Sequence, residues 1–215
     1  ETCLGSPADI PWFSAQTRIT FKRCGIGVPT SLDNYRALGG YEGLQRALTL
    51  SPQAIVDEVK TSGLRGRGGA AFPTGIKWQT VLDTPSEQKY IVCNADEGDS
   101  GTFADRLLME ADPFQLVEGM TIAGLGVGAT RGFIYLRSEY PKARLAAESA
   151  IKIAEQSGLL GDDICGSKAS FKLEVRLGAG SYICGEETSL LNSLEGKRGV
   201  VRAKPPLPAI KGLFG

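Results

Sequence analysis

Apolar positions along the chain follow two different periods. In "SPQAIVDEVKTSG" they recur at helical spacing: Ile55, Val56 and Val59 form one stripe, Ser51 caps, Pro52 opens the first turn and Gly63 stops the run. The same period predicts helices over "TGIKWQTVLD", "TFADRLLMEADP", "PFQLVEGMTIAGLGVG", Pro141–Gln156 and the end of "GAGSYICGEETSLLNSLEG". Ser31–Leu50 carries two shorter helical patterns, broken at Gly39 and Gly40. Buried or alternating runs predict strands in "KYIVCNADEGD", "RGFIYLR" and "FKLEVRLG", with one more in "RITFKRC" near the start. Strands alternating with helices imply an α/β fold, a Rossmann-like domain with a mostly parallel sheet flanked by helices. The first thirty residues are otherwise irregular, an N-terminal arm lying on the main body or on a partner. The division expected is 1–50 for arm and short helices and 51–215 for the α/β domain.

Composition narrows the chemistry. The 215 residues are 42% hydrophobic and 22% charged, as in an ordinary soluble protein. Lys plus Arg and Asp plus Glu number 24 each, so bulk charge does not point to nucleic acid. No apolar run reaches the roughly 18 residues of a membrane span. The five cysteines (Cys3, Cys24, Cys93, Cys165, Cys184) are scattered without a CxxC, which argues for free thiols and against a zinc knuckle or an iron–sulfur cluster held by this chain. There is no histidine. A Ser-His-Asp triad, a Cys-His pair and a histidine metal site are excluded within this chain, so acid–base work would fall to other side chains or the chemistry to a cofactor.

Three stretches carry candidate chemistry. "GLRGRGGAAFPTG" contains G-x-G-x-x-A at Gly66, Gly68 and Ala71, but a helix rather than a strand precedes it, and no Walker G-K-[ST] follows. It opens instead onto a helix start near Thr74, where free N–H groups and the dipole favour an anion. Lys77 sits in that first turn, where helix stability alone disfavours a cation. "CNADEGDSGTF" places Asn94, Asp96, Glu97 and Asp99 just past a strand, where α/β sheets bind ligands. Such acids suit hydroxyls and ring N–H groups; Mg²⁺ binding and a solvated turn are the rival readings. "GAGSYICGEETSLL" repeats the theme with Tyr182 and Cys184 in a turn and Glu186 and Glu187 at a helix start, where acids are also at home without a ligand. If the three loops converge, they make a cleft with a phosphate end and a hydroxyl end, suited to a nucleotide or flavin. A fold retained without stable flavin and a Mg²⁺-dependent phosphotransferase stay open as alternatives.

In this order and spacing, "GLRGRGGAAFPTGIKW", "CNADEGDSGTFADR" and "GAGSYICGEETSLLNSLEGKRG" resemble the FMN-binding, NADH-oxidising flavoprotein subunit of respiratory complex I, of 51 kDa type. They also resemble the diaphorase subunits of NAD-dependent formate dehydrogenases and NAD-reducing hydrogenases. "EGDSGTFADR" and "KPPLPAIKGLFG" are most similar to the formate dehydrogenase branch. The resemblance implies FMN held by Gly66, Arg67, Gly68, Gly69 and Lys77 of the first loop, Asn94, Asp96 and Glu97 of the second, and Tyr182, Gly185 and Glu186 of the third. It places Phe72, Lys77, Asp99 and Glu187 toward NADH, and requires no catalytic side chain and no metal ligand. It implies a cytoplasmic location and iron–sulfur partner subunits, including a thioredoxin-like [2Fe–2S] subunit or domain. It also implies a continuation past Gly215 into an asparagine-rich FMN segment, a ubiquitin-like domain and a [4Fe–4S] domain. Departures from the family pattern are Ala71 for a glycine, Asp99 for a glutamate, and Thr80 and Leu207 for aromatic residues that flank adenine.

Overall fold

The computed structural model describes Ser6 and residues 9–215; the thiol of Cys3 and the arm's Pro7 lie outside the described residues. Among the described residues, nine α-helices and three strands follow in chain order: α1 (Pro11–Ser14), α2 (Leu32–Ala37), α3 (Glu42–Ala47), α4 (Pro52–Thr61), α5 (Thr74–Asp83), β1 (Tyr90–Ala95), α6 (Ala104–Ala111), α7 (Pro113–Val127), β2 (Arg131–Leu136), α8 (Pro141–Gln156), β3 (Lys172–Leu177) and α9 (Glu187–Leu194). The strands form one parallel sheet in the order β1-β2-β3, with Tyr90 opposite Arg131 and Arg131 opposite Lys172. All three therefore end at one edge, and that edge positions the site.

Strand alternation sorts side chains between two cores. Ile91, Cys93, Ile134, Leu136, Leu173 and Val175 turn to the larger one, with α7 and α8. Val92 and Tyr135 turn to the smaller one, against Leu190 and Leu191 of α9. Helix α7 is apolar on nearly all sides because it is buried along most of its length, against α3, α4, α5 and α8 as well as the sheet. One acid interrupts it. Glu118 is buried and accepts from Tyr35 Oη at 2.6 Å, Tyr41 N at 2.8 Å and Leu44 N at 2.9 Å, which fastens α2 and α3 to α7.

The α/β reading holds, and the periodic helices stand where their patterns predict. Ser51 accepts from Ala54 N as the cap of α4. The strand expected at "RITFKRC" is absent: this stretch is a series of turns, with Lys22 N donating to Ile19 O and Cys24 N to Phe21 O. The apparent alternation there has no sheet edge to face. What holds the segment is Arg23, which pairs with the buried Asp112 at 2.8 Å and lies 4.7 Å over the Tyr35 ring. This part of the arm is thus held to α2 and to Asp112, ahead of α7. All four described cysteines are free, and burial pushes the Cys93 thiol up to about 12.

After α9 the chain folds back on that helix. The tail 204–215, expected to be extended from its prolines, is instead bends and turns, with Ile210 N and Lys211 N donating to Leu207 O at 2.8 and 3.0 Å, because the φ that proline fixes suits a turn as well as an extended run. Arg202 donates to Asn192 Oδ1, Glu195 and Gly212 O, at 2.8, 2.8 and 2.9 Å. Glu195, with its side chain 5% exposed, also accepts from Lys197 at 2.7 Å and Phe214 N at 2.8 Å. Burial alone would raise its carboxyl; the donors from Lys197, Arg202 and Phe214 outweigh it and hold the group at about 2 against an ordinary 4.5. A depressed carboxyl contributes its stability above its ordinary value and loses it as pH falls through the folded one. A gap of this size is worth about 3 kcal/mol. Glu195→Gln is expected to lower stability by about 2–3 kcal/mol at neutral pH and to flatten the acid limb of stability between pH 4.5 and about 2. Chemical denaturation across pH checks this; parallel acid limbs for wild type and variant would contradict it.

Candidate functional site

The second loop, 96–103, leaves the end of β1, and the third, 178–186, leaves the end of β3. They meet across the end of β2. Asn94 Nδ2 donates to Gly185 O at 2.7 Å, and Tyr182 Oη donates to Asp99 Oδ1 at 2.8 Å. The loops pack closely: a Cβ on Gly98 would lie 2.8 Å from the Tyr182 ring, which would have to move, and one on Gly185 would lie a tight 3.3 Å from Asp96 O. Glycine at these two positions is therefore set by the contact between the loops themselves.

The acids of these loops do different work. Glu97 is buried, and its carboxylate accepts from Asp105 N at 2.9 Å and Arg106 N at 3.2 Å, the exposed donors at the start of α6. Tyr140 Oη adds a third bond at 3.1 Å, and Arg137, just past β2, donates to the Glu97 carbonyl. Glu186 caps α9, accepting from Thr188 N at 2.9 Å and Ser189 N at 3.0 Å. Partial burial works against its charge, but these donors, the Thr188 hydroxyl and Lys204 hold its carboxyl at about 2. Asp96 differs: among the described residues no donor reaches its carboxylate, which burial pushes upward more than Arg137 pulls it down. Asp96, Asp99 and Glu187 are thus the carboxylates left turned to the surface of the joined loops. Lys204 reaches Glu187 at 2.5 Å and Glu186 at 3.1 Å. Sequence reasoning missed Lys204, Arg137 and Tyr140; Lys204 shares its proline-rich stretch with Lys211, so nothing local in the sequence singles it out.

The first loop stands on its own ties. Gly66 N donates to Phe72 O at 2.8 Å, Thr74 N to Leu64 O at 2.9 Å, and Arg65 Nε to Ala71 O at 2.7 Å. Ala71 N closes a turn to Gly68 O at 3.0 Å, with Ala71 held in the left-handed region at φ 46°. A residue with a Cβ sits there at a cost of about 1 kcal/mol, so the alanine departure strains the backbone as well as taking up room. Gly68 and Gly69 have neither a positive φ nor any atom within 4 Å of a notional Cβ. Nothing in the described chain requires glycine at either. Arg67 and Lys77 have no ion-pair partner among the described residues, and α5 begins without a side-chain cap or an acid in its first turn. Bare backbone, two free cations and an uncapped helix start fit a phosphate-bearing ring system approaching closely. Phe72, 49% exposed, stands beside them. Among the described residues no hydrogen bond joins this loop to the other two, so the structure brings together the second and third sets of residues but not the first.

The model of the family "Nuo51 FMN-binding domain" matches residues 59–214, which include all three loops. This chain belongs to that family. Among relatives of this Nuo51 domain, NADP-reducing hydrogenase subunit HndC of Solidesulfovibrio fructosivorans is 54% identical over 93% of this chain and 40% of its own length. The mitochondrial NADH-ubiquinone oxidoreductase 51 kDa subunit of Neurospora crassa is 45% identical over 87% of this chain and 39% of its own. The chain thus spans less than half the length of these relatives. A crystal structure of an NAD+-reducing [NiFe]-hydrogenase in the air-oxidized state superposes with TM-score 0.73 and 34% identity, covering 93% of this chain and 31% of that one. These findings support the family resemblance seen in the three motifs. They come from the hydrogenase and quinone branches and carry no weight on the formate branch.

If the Glu97 carboxylate holds α6 to the sheet edge, Glu97→Ala in flavin-free protein should cost about 2–3 kcal/mol of unfolding free energy. Asp99→Ala, at an exposed position, should cost less than about 1 kcal/mol. Denaturant titration measures both; equal losses would contradict the division of labour between these acids.

Proposed function

We propose that this Nuo51 domain is the FMN site of an NAD(H)-linked diaphorase module, working with iron–sulfur partner subunits that include a thioredoxin-like [2Fe–2S] subunit or domain. When bound, FMN supplies hydride exchange with the nicotinamide ring, and no side chain is required as acid or base. The chain's share is position and charge. Arg67, Lys77 and the start of α5 hold the phosphate-side charge, with Gly66, Gly68 and Gly69 giving backbone access. Asn94 and Gly185 fix the second loop against the third, Asp96 presents its carboxylate to the flavin's polar edge, and Glu97 and Glu186 keep the two helix starts in place. Phe72, Asp99 and Glu187 face the nicotinamide nucleotide, with Lys77 between the two ligands. Family membership gives the class, and the observation that carries the reading to these residues is the Gly68–Gly69 edge, which no neighbour in the described chain explains. In the described residues no helix is long and apolar enough to cross a membrane, and a place on the cytoplasmic side of a larger assembly fits this reading.

Two measurements test it. Purified protein titrated with FMN and with FAD, followed by flavin absorbance and fluorescence, is expected to take FMN in preference, because the cradle ends at the phosphate. Equal or tighter FAD binding would overturn the assignment. Lys77→Ala should weaken FMN binding about tenfold, the loss of one charge-assisted contact, and Lys77→Arg should restore only part of it. Unchanged affinity in Lys77→Ala would remove Lys77 from the site.

A further inference from the structure

Tyr182 is 71% exposed, yet its ring is not free. It lies against the backbone of Gly98, and its hydroxyl donates to Asp99 Oδ1 at 2.8 Å. So exposed a ring gains little from burial, and the hydrogen bond to Asp99 is the one side-chain bond that holds it among the described residues. The bond joins loops 83 residues apart in sequence. It also fixes Asp99. An exposed carboxylate otherwise rotates freely; here Oδ1 is engaged, and no donor of the described chain reaches Oδ2. Asp99 is exposed, so that oxygen is open to solvent. A carboxylate with one oxygen anchored and the other open is prepared to accept from a sugar hydroxyl, and anchoring it beforehand removes an ordering cost from binding.

We propose that Tyr182 is a positioning residue that latches Asp99 for a ribose hydroxyl of the nicotinamide dinucleotide. This rests on the functional reading above. The latch gives Tyr182 a role toward the nucleotide in addition to any contact with flavin, and makes the two loops respond as a unit. The hydrogen bond to Asp99 raises the Tyr182 phenol above its ordinary value, which gives the latch a signature in the ligand-free protein.

The test is a double-mutant cycle on protein with FMN added, using ADP-ribose as probe and calorimetry as readout. Tyr182→Phe should weaken ADP-ribose binding roughly threefold to tenfold, the net worth of one hydrogen bond. Asp99→Asn should weaken it at least as much, and the double variant should be no weaker than Asp99→Asn alone. Flavin content is measured alongside. In parallel, fluorotyrosine-labelled protein without flavin is titrated by ¹⁹F NMR: the Tyr182 signal should titrate above the ordinary tyrosine value and move down in Asp99→Asn. Additive losses in the cycle, or a phenol unmoved by Asp99→Asn, would overturn the latch with the flavin reading intact. A wild-type protein that binds neither FMN nor ADP-ribose would overturn the functional reading, and the latch's role with it.

Discussion

The candidate site depends on a buried carboxylate. Glu97 leaves the end of β1 and turns inward, where the first N–H groups of α6 and the Tyr140 hydroxyl surround it. Its carbonyl is held by Arg137 from the end of β2. One residue thus ties the first strand, the second strand and the helix that leaves the sheet edge. The loop carrying Asp96 and Asp99 is short, and with Glu97 fixed inside it, little freedom remains to its neighbours. The parallel register supplies the other half of the constraint. Because β1, β2 and β3 end together, the loops after β1 and β3 can meet over the end of β2, and Asn94 and Tyr182 close that gap.

Much of the fold was legible in the chain. Helices α4, α5 and α8 follow from periodicity, from Ser51 and from the prolines that open α4 and α8, all within one or two turns of sequence. The strands follow from apolar runs bounded by turn residues. The segment 18–24 did not, because its alternation is local while the fate of a strand is not: Arg23 is drawn to Asp112, 89 residues away, and no sheet edge lies alongside. Site loops were legible as loops, since glycines and acids at strand ends need a reason. Which acid serves the fold and which faces outward was not. Glu97 and Asp99 are two residues apart and chemically alike, and only the distant donors at 105, 106, 140 and 182 separate them. Lys204 was hidden for the same reason, since its partners at 186 and 187 come within reach only after the tail folds back on α9.

Glycine divides in the same way. Gly98 and Gly185 answer to contacts inside the chain, whereas Gly68 and Gly69 answer to nothing among the described residues. On the proposed reading, that open backbone is where the flavin would approach. Arg67 of this loop and Lys77 in the first turn of α5 have no ion-pair partner among the described residues, and the strained Ala71 holds the turn between them. The account therefore requires one ligand to bridge a loop that no hydrogen bond joins to the other two.

Hydrogen exchange followed by mass spectrometry, with and without FMN, tests that requirement most directly. The account predicts that FMN slows exchange in 66–77, 94–99 and 182–187 together, along a single binding curve, while the far end of the sheet around Tyr90 and Lys172 is unchanged. Protection confined to the second and third loops, or protection of the first loop at a separate concentration, would contradict a single site built from all three.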